Sequence, residues 1–267
     1  QLIAKNLEKL ESGEIKRLAV FMPPRHGKSM LCSEFFPAWY LGNNPNEFVI
    51  QSTYAQELAD DFGRKVRNQV QGEDFNKVFP QVALRSDSTS AKRFHTIHGG
   101  TYSAVGAGGA ITGRGAHLLI IDDPIKGRED AESEVQRRNL LEWYKSVAYT
   151  RLQPGGKIIV IQTRWHQDDL AGYILNESGE DWKVLDLPAI DDKGNALWPE
   201  AYSKEDLSKI QNTVGERVWQ ALYQQRPSNE EGSIIKRDWW NIYDGKKIPT
   251  LGYVVQSYDT AFSTKSS

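Results

Sequence analysis

The sequence predicts an α/β fold: a mainly parallel central sheet wrapped by helices, with a small helical subdomain appended. Three observations carry this. Short, nearly all-apolar runs recur along the chain, as expected for strands covered on both faces. Helical periodicities separate them. A Gly-Lys-Ser triplet stands where the first such run gives way to a helical pattern.

In chain order, the first strand is expected at 18–22, followed by a helix carrying Met30, Leu31, Phe35, Ala38 and Trp39. A second strand is expected at 48–52. Leu58, Phe62, Val66 and Val70 then recur every four residues and mark one buried helical stripe. Residues 93–105 alternate around His98-Gly99-Gly100-Thr101, a hairpin pattern, and run into the Gly-rich segment 106–115. A long Gly-rich loop inside a compact domain is more often functional than idle. Further strands are expected at 118–122 and 158–163, with Leu140, Leu141, Tyr144, Val147 and Ala148 forming a helical stripe between them. After 182–187 the rhythm ends. Residues 191–198 read as loop, and 203–223 as one or two helices with Leu207, Ile210, Val214, Val218 and Leu222 inward. Residues 227–233 have linker composition.

The chain has 267 residues, 39% of them hydrophobic and 25% charged, an ordinary globular profile that excludes disordered, collagen-like and disulfide-rich classes. At roughly 150 residues per domain the length corresponds to about 1.8 domains. The single cysteine, Cys32, cannot form an internal disulfide, and no apolar run approaches the ~20 residues that span a bilayer. These features predict an intracellular protein away from membranes. The chain opens on Gln1 without an initiator Met, which reads as the interior of a longer protein. A formal charge of −2 argues against a histone-like polyanion binder but leaves open a motor that meets nucleic acid through one face.

Met22-Pro23-Pro24-Arg25-His26-Gly27-Lys28-Ser29 occupies a strand-to-helix junction, the place of a phosphate-binding loop. Backbone N–H groups at a helix N-terminus favour phosphate. Lys28 would reach the β- and γ-phosphates, Ser29 would ligate Mg²⁺, and Gly27 allows close backbone approach. Met22 stands where the usual motif has its first Gly. Leu118-Leu119-Ile120-Ile121-Asp122-Asp123 is an apolar strand ending in two carboxylates. Asp122 would hold Mg²⁺ and Asp123 would polarise the attacking water. Asp123 stands where ATPases of this class usually carry Glu, so Glu129 and Glu132 are fallback bases.

A cation against the transferred phosphoryl group gives the largest stabilisation. Arg25, within the loop, and Arg114, in Thr112-Gly113-Arg114-Gly115, are the candidates; an outward-pointing Arg114 would act on a neighbouring subunit. Gln162 and Thr163, at the carboxyl end of a buried strand, are candidate γ-phosphate sensors, with Arg164 and His166 relaying that state to the next helix. Arg64, Lys65 and Arg67 on one helix, or Arg85, Lys92 and Arg93 around the hairpin, are charges that could meet DNA phosphates.

These motifs together resemble the large subunit of tailed-phage terminases, the motors that package viral DNA. The resemblance rests on the segments 22–29, 113–115, 118–124 and 162–166, and extends to Gln256-Ser257-Tyr258-Asp259-Thr260-Ala261. It implies a P-loop ATPase of the additional-strand catalytic-glutamate class (ASCE, RecA-like), followed by a nuclease of RNase H/RuvC-like fold. Residue by residue, it implies Lys28 and Ser29 as Walker A ligands and Arg25 as the P-loop arginine. It implies Asp122 and Asp123 as the Walker B pair, Arg114 as a finger acting in trans, Thr163 in the coupling motif, and Asp259 as the first nuclease metal ligand on a strand at 252–258. The expected organisation is an ATPase core at 1–182, a helical lid at 183–226, a linker at 227–251 and the first strand of a truncated nuclease at 252–267. Without further carboxylates this stretch would not cut DNA. The implied cofactors are ATP and Mg²⁺. The implied partners are double-stranded DNA, the portal protein of the procapsid, the small terminase subunit and further copies in a ring, a pentamer when active. The implied setting is the cytoplasm of an infected bacterium, docked on the procapsid. A helicase of the D-E-A-D-like superfamily and a nucleotide-gated scaffold without turnover are the competing readings.

Overall fold

The computed structural model describes residues 1–109, 111 and 113–228. Residues 1–229 form one compact unit, and 230–267, a second, lie outside the described residues. The expected strand at 252–258, Asp259 and most of the expected linker fall there as well.

Eight strands form one sheet: β1 (Arg17–Phe21), β2 (Phe48–Thr53), β3 (Leu84–Thr89), β4 (Arg93–Thr96), β5 (Thr101–Gly106), β6 (Ala116–Asp122), β7 (Leu152–Gln162) and β8 (Lys183–Asp186). Their order across the sheet is β3-β4-β5-β2-β6-β7-β1-β8. β3, β4 and β5 pair antiparallel; from β5 to β8 every neighbour is parallel. All the parallel strands therefore end on one edge, which carries the loops after β1, β6 and β7.

Leu118 to Ile121 and Ile158 to Ile161 are fully buried, as continuous apolar runs must be when helices cover both faces. Leu18, Val20, Val49, Leu118, Ile120, Ile159 and Ile161 belong to the core under α1 (Leu2–Glu11), α2 (Phe36–Asn43) and α3 (Gln56–Val70). Ala19, Phe21, Ile50, Leu119, Ile121 and Val160 belong to the opposite core, with Trp143 at the end of α6 (Glu134–Trp143) and Leu170, Ala171 and Ile174 of α7 (Leu170–Asn176). β5 ends at the carboxyl edge and β6 begins at the amino edge. Between them Ile111 is fully buried in the second core.

Several expectations are revised. The helix after the loop that follows β1 opens as a π-helical turn, Met30–Phe35, before α2. Pro37, inside that helix, lacks an N–H and crowds the preceding turn, which accounts for the wider winding. β7 starts at Leu152, six residues before the expected start, because Leu152 already pairs with Ala116 ahead of a register shift. Leu58 is only half-buried; Ala59 takes its place in the core. Of the one or two helices expected at 203–223 there are two, divided at Gly215 (φ 79°) into α8 (Lys204–Val214) and a second stretch, Glu216–Tyr223. The break rephases the stripe, so Trp219 rather than Val218 joins Leu207 and Ala189 in a separate small core.

Candidate active site

At the carboxyl edge, a cavity of about 560 Å³ is lined by Pro24, Arg25, Gly27, Lys28 and Ser29 of the loop after β1, Asp123 after β6, and Thr163 and Trp165 after β7. The wall toward α3 is Tyr54, Leu58 and Phe62, completed by Met30, Glu34, Ile125 and Lys126. Residues far apart in sequence thus meet because three adjacent strands end together.

The loop owes its shape to two left-handed positions, Arg25 (φ 61°) and Gly27 (φ 88°). Gly27 suits its position without strain, and its carbonyl accepts the first helical hydrogen bond, from Leu31. Lys28 is buried, and its Nζ lies 2.9 Å from Asp123 Oδ2. The other oxygen of Asp123 accepts from the Thr163 backbone N–H at 2.7 Å. Asp123 itself adopts a left-handed conformation (φ 40°), uncommon for a non-glycine residue and a form of strain that clusters at functional sites.

Asp122 is 1% exposed. Ser29 Oγ donates to its Oδ1 at 3.1 Å and Ser33 Oγ to its Oδ2 at 2.6 Å. Burial and the neighbouring Asp123 charge push the Asp122 carboxyl up, against the two serine hydrogen bonds and Lys28. Ser29 and Asp122 together offer hard oxygen donors at the phosphate loop, the chemistry Mg²⁺ prefers. Ser33 is a residue the sequence reading missed. Its signal is spacing, since it lies four residues after Ser29 and so on the same helix face.

Not every candidate reaches the cavity. The His26 ring turns away and stacks on Tyr202, with centroids 4.6 Å apart and planes at 14°. Its Nδ1 lies 2.8 Å from the Pro24 carbonyl oxygen. Burial, opposed by this carbonyl contact and reinforced by Lys28, lowers its pKa, so the ring is neutral at pH 7 and Nδ1–H donates. Gln162 is buried on the α7 side of the sheet, opposite Phe21, and its amide has no hydrogen-bond partner among the described residues. It does not line the cavity; strand alternation gives that place to the next residue, Thr163. Arg164 is buried too. Its Nε donates to Asp169 at 3.1 Å, and Asp169 caps α7 by accepting from Gly172 N at 2.8 Å. Thr163 and Arg164 thus connect the cavity wall to a helix start. Neither fallback acid lines the cavity: Glu129 is exposed, and Glu132 pairs with Arg128 and Arg217.

Arg114 stands apart. It precedes β6, whereas the phosphate loop follows β1, so the two lie on opposite edges of the sheet. Seven strand residues at about 3.3 Å each separate those edges by roughly 20 Å. Arg114 lines a different cleft from the one at the carboxyl edge.

The chain matches the family model described as terminase large subunit, T4likevirus-type, N-terminal, over residues 20–242. The structure is similar to the large terminase ATPase domain of Thermus phage P74-26. For an arginine-to-alanine mutant of that domain the TM-score is 0.54 at 13% identity, covering 79% of this chain and 89% of that one. The unmutated domain matches with the same score and identity over 79% and 88%. The large terminase of a thermophilic bacteriophage matches at TM-score 0.50 and 11% identity, over 82% of this chain and 52% of that one. No curated protein matches the sequence at a significant level. The structural likenesses concern the fold, and among the described residues no helix is long and apolar enough to cross a membrane.

Proposed function

From the premise that the chain belongs to the T4likevirus-type large terminase subunit family, in its N-terminal region, we propose that it is the ATP-hydrolysing part of a motor that drives double-stranded viral DNA into a procapsid. The observation that carries this reading is the convergence of Lys28, Asp122, Asp123 and Thr163 at one cavity behind a phosphate-binding loop.

Pro24, Arg25, His26, Gly27, Lys28 and Ser29 form the loop that receives the phosphates, His26 acting through its backbone and its stacking on Tyr202. Bound Mg²⁺ would neutralise phosphate charge, with Ser29 and Asp122 as its protein ligands. The γ-phosphate competes with Asp123 for Lys28; once Lys28 turns to it, Asp123 is free to take a proton from water. Water oxygen then bonds to the γ-phosphorus, the bond to the bridging oxygen breaks, and its electron pair leaves with ADP. Asp123 keeps its orientation through the Thr163 N–H, and the same strand end carries the change to α7 through Arg164 and Asp169. Arg25, exposed at the cavity mouth, and Arg114, supplied by a neighbouring copy, stabilise the developing charge.

The wider reading is a ring of such subunits, a pentamer, on the portal protein of a procapsid in the host cytoplasm, receiving DNA with the small terminase subunit. In this reading residues 1–182 are the ATPase core, 183–226 a helical lid, 227–251 a linker, and Asp259 a metal ligand of a nuclease domain. Steady-state phosphate release tests the site: Lys28→Ala and Asp123→Asn should each lower turnover by roughly a hundredfold or more. Unchanged turnover in both would refute the assignment.

A further inference from the structure

At the amino edge of the sheet, a cleft of about 230 Å³ is lined by Arg93 of β4, Thr101 and Ser103 of β5, Phe48, Val49 and Ile50 of β2, and the Gly113-Arg114-Gly115 loop. Register explains the grouping. Arg93 pairs with Ser103 and His95 with Thr101, so Arg93, Thr101 and Ser103 project from one face of the sheet. Arg114 closes the cleft between a glycine that turns the chain and one packed against Gln153. Gly113 takes a left-handed turn (φ 76°), and a Cβ on Gly115 would lie 2.1 Å from the Gln153 amide nitrogen.

No carboxylate lines this cleft, and among the described residues neither guanidinium makes a hydrogen bond or ion pair. The cations around it are already engaged. Arg85 holds Asp87 with two hydrogen bonds of 3.0 and 2.6 Å, and Lys92 lies 3.7 Å from Asp60. Two free guanidiniums beside two hydroxyls make a site for one phosphate group, since planar N–H forks match its oxygens. A long stretch of duplex backbone would instead call on a row of free cations.

We propose that Arg93 and Arg114 act as a pair, together clamping the terminal phosphate of the triphosphate seated in a second copy of this chain. The inference rests on the ATPase reading above and adds Arg93 as a second arginine acting in trans, with the Thr101 and Ser103 hydroxyls as further donors. Two forks can hold more equatorial oxygens than one, so the pair stabilises charge that a lone finger leaves to water.

The test uses the full chain with ATP and Mg²⁺ at concentrations where it assembles. Arg93→Ala should cut phosphate release by at least about tenfold, Arg93→Lys should fall between it and the parent, and all should melt alike. Mixing Arg93→Ala chains, which keep their own nucleotide site, with Lys28→Ala chains, which keep the arginine cleft, should restore part of the turnover. Affinity for a duplex oligonucleotide and its salt dependence should not change. If Arg114→Ala slows hydrolysis and Arg93→Ala does not, the pairing is wrong while the trans reading stands. Loss of turnover without rescue, accompanied by weaker and less salt-sensitive duplex binding, would assign the cleft to DNA and overturn the inference. Full turnover in both arginine variants would remove the trans reading itself, and full turnover in Lys28→Ala would remove the ATPase assignment.

Discussion

The cavity at the carboxyl edge and the small cleft at the amino edge hold their charges differently. At the carboxyl edge Lys28 pairs with Asp123, Asp122 is held by two serines, and Arg164 is buried against Asp169. At the amino edge Arg93 and Arg114 line an open cleft without partners among the described residues. A group paired within its own chain must exchange that partner for a ligand. A group left unpaired can meet a ligand brought by another molecule at little cost to its own fold. The difference therefore separates a cavity whose cation must exchange partners to meet a ligand from a surface whose cations face outward.

Substitutions can break or sharpen this contrast. The largest effect is expected at Asp169. Alanine there removes the α7 cap and leaves the Arg164 guanidinium buried without its carboxylate, a loss of about 3–5 kcal/mol. Chemical denaturation measures it, and a loss under about 1 kcal/mol would mean that the carboxyl edge is not organised by its ion pairs.

A smaller effect of opposite sign is expected at Asp122. Its folded pKa lies above its unfolded value, so the ionised carboxylate subtracts from stability at neutral pH, and the penalty fades as the pH falls. Asp122→Asn should therefore gain about 1 kcal/mol near pH 8 while losing Mg²⁺-dependent turnover. The gain should shrink toward pH 5. A gain that grows on acidification would contradict the cause assigned to the shift.

The smallest effect belongs to the amino edge. Arg93→Ala and Arg114→Ala should each change stability by less than about 0.5 kcal/mol, since neither side chain makes a bond within the described chain. A loss above about 2 kcal/mol in either would show that the arginine is a structural brace.

The parallel core was legible because its strands are apolar throughout: Leu118 to Ile121 and Ile158 to Ile161 admit few other readings. That loop 22–29 and the paired acids Asp122 and Asp123 stand at strand ends was legible because each follows an apolar run. β3 was not, since Leu-Arg-Ser-Asp-Ser-Thr at a sheet edge has neither an apolar run nor clean alternation. The six-residue α4 (Glu73–Val78) buries no residue and leaves no stripe to read. Tyr54, Phe62 and Lys126 carry no motif; they join the cavity wall because β2, α3 and β6 bring them there. The position of Arg114 at the amino edge follows from the order and direction of β5 and β6, which local sequence does not reveal.

Calorimetric titration of the isolated chain with ATP and Mg²⁺ tests this division most directly. Lys28→Ala should weaken nucleotide binding by about tenfold or more, while Arg93→Ala and Arg114→Ala should bind as the parent does. Undiminished binding by Lys28→Ala, or binding lost through either arginine in an unassembled chain, would contradict the assignment of the two edges.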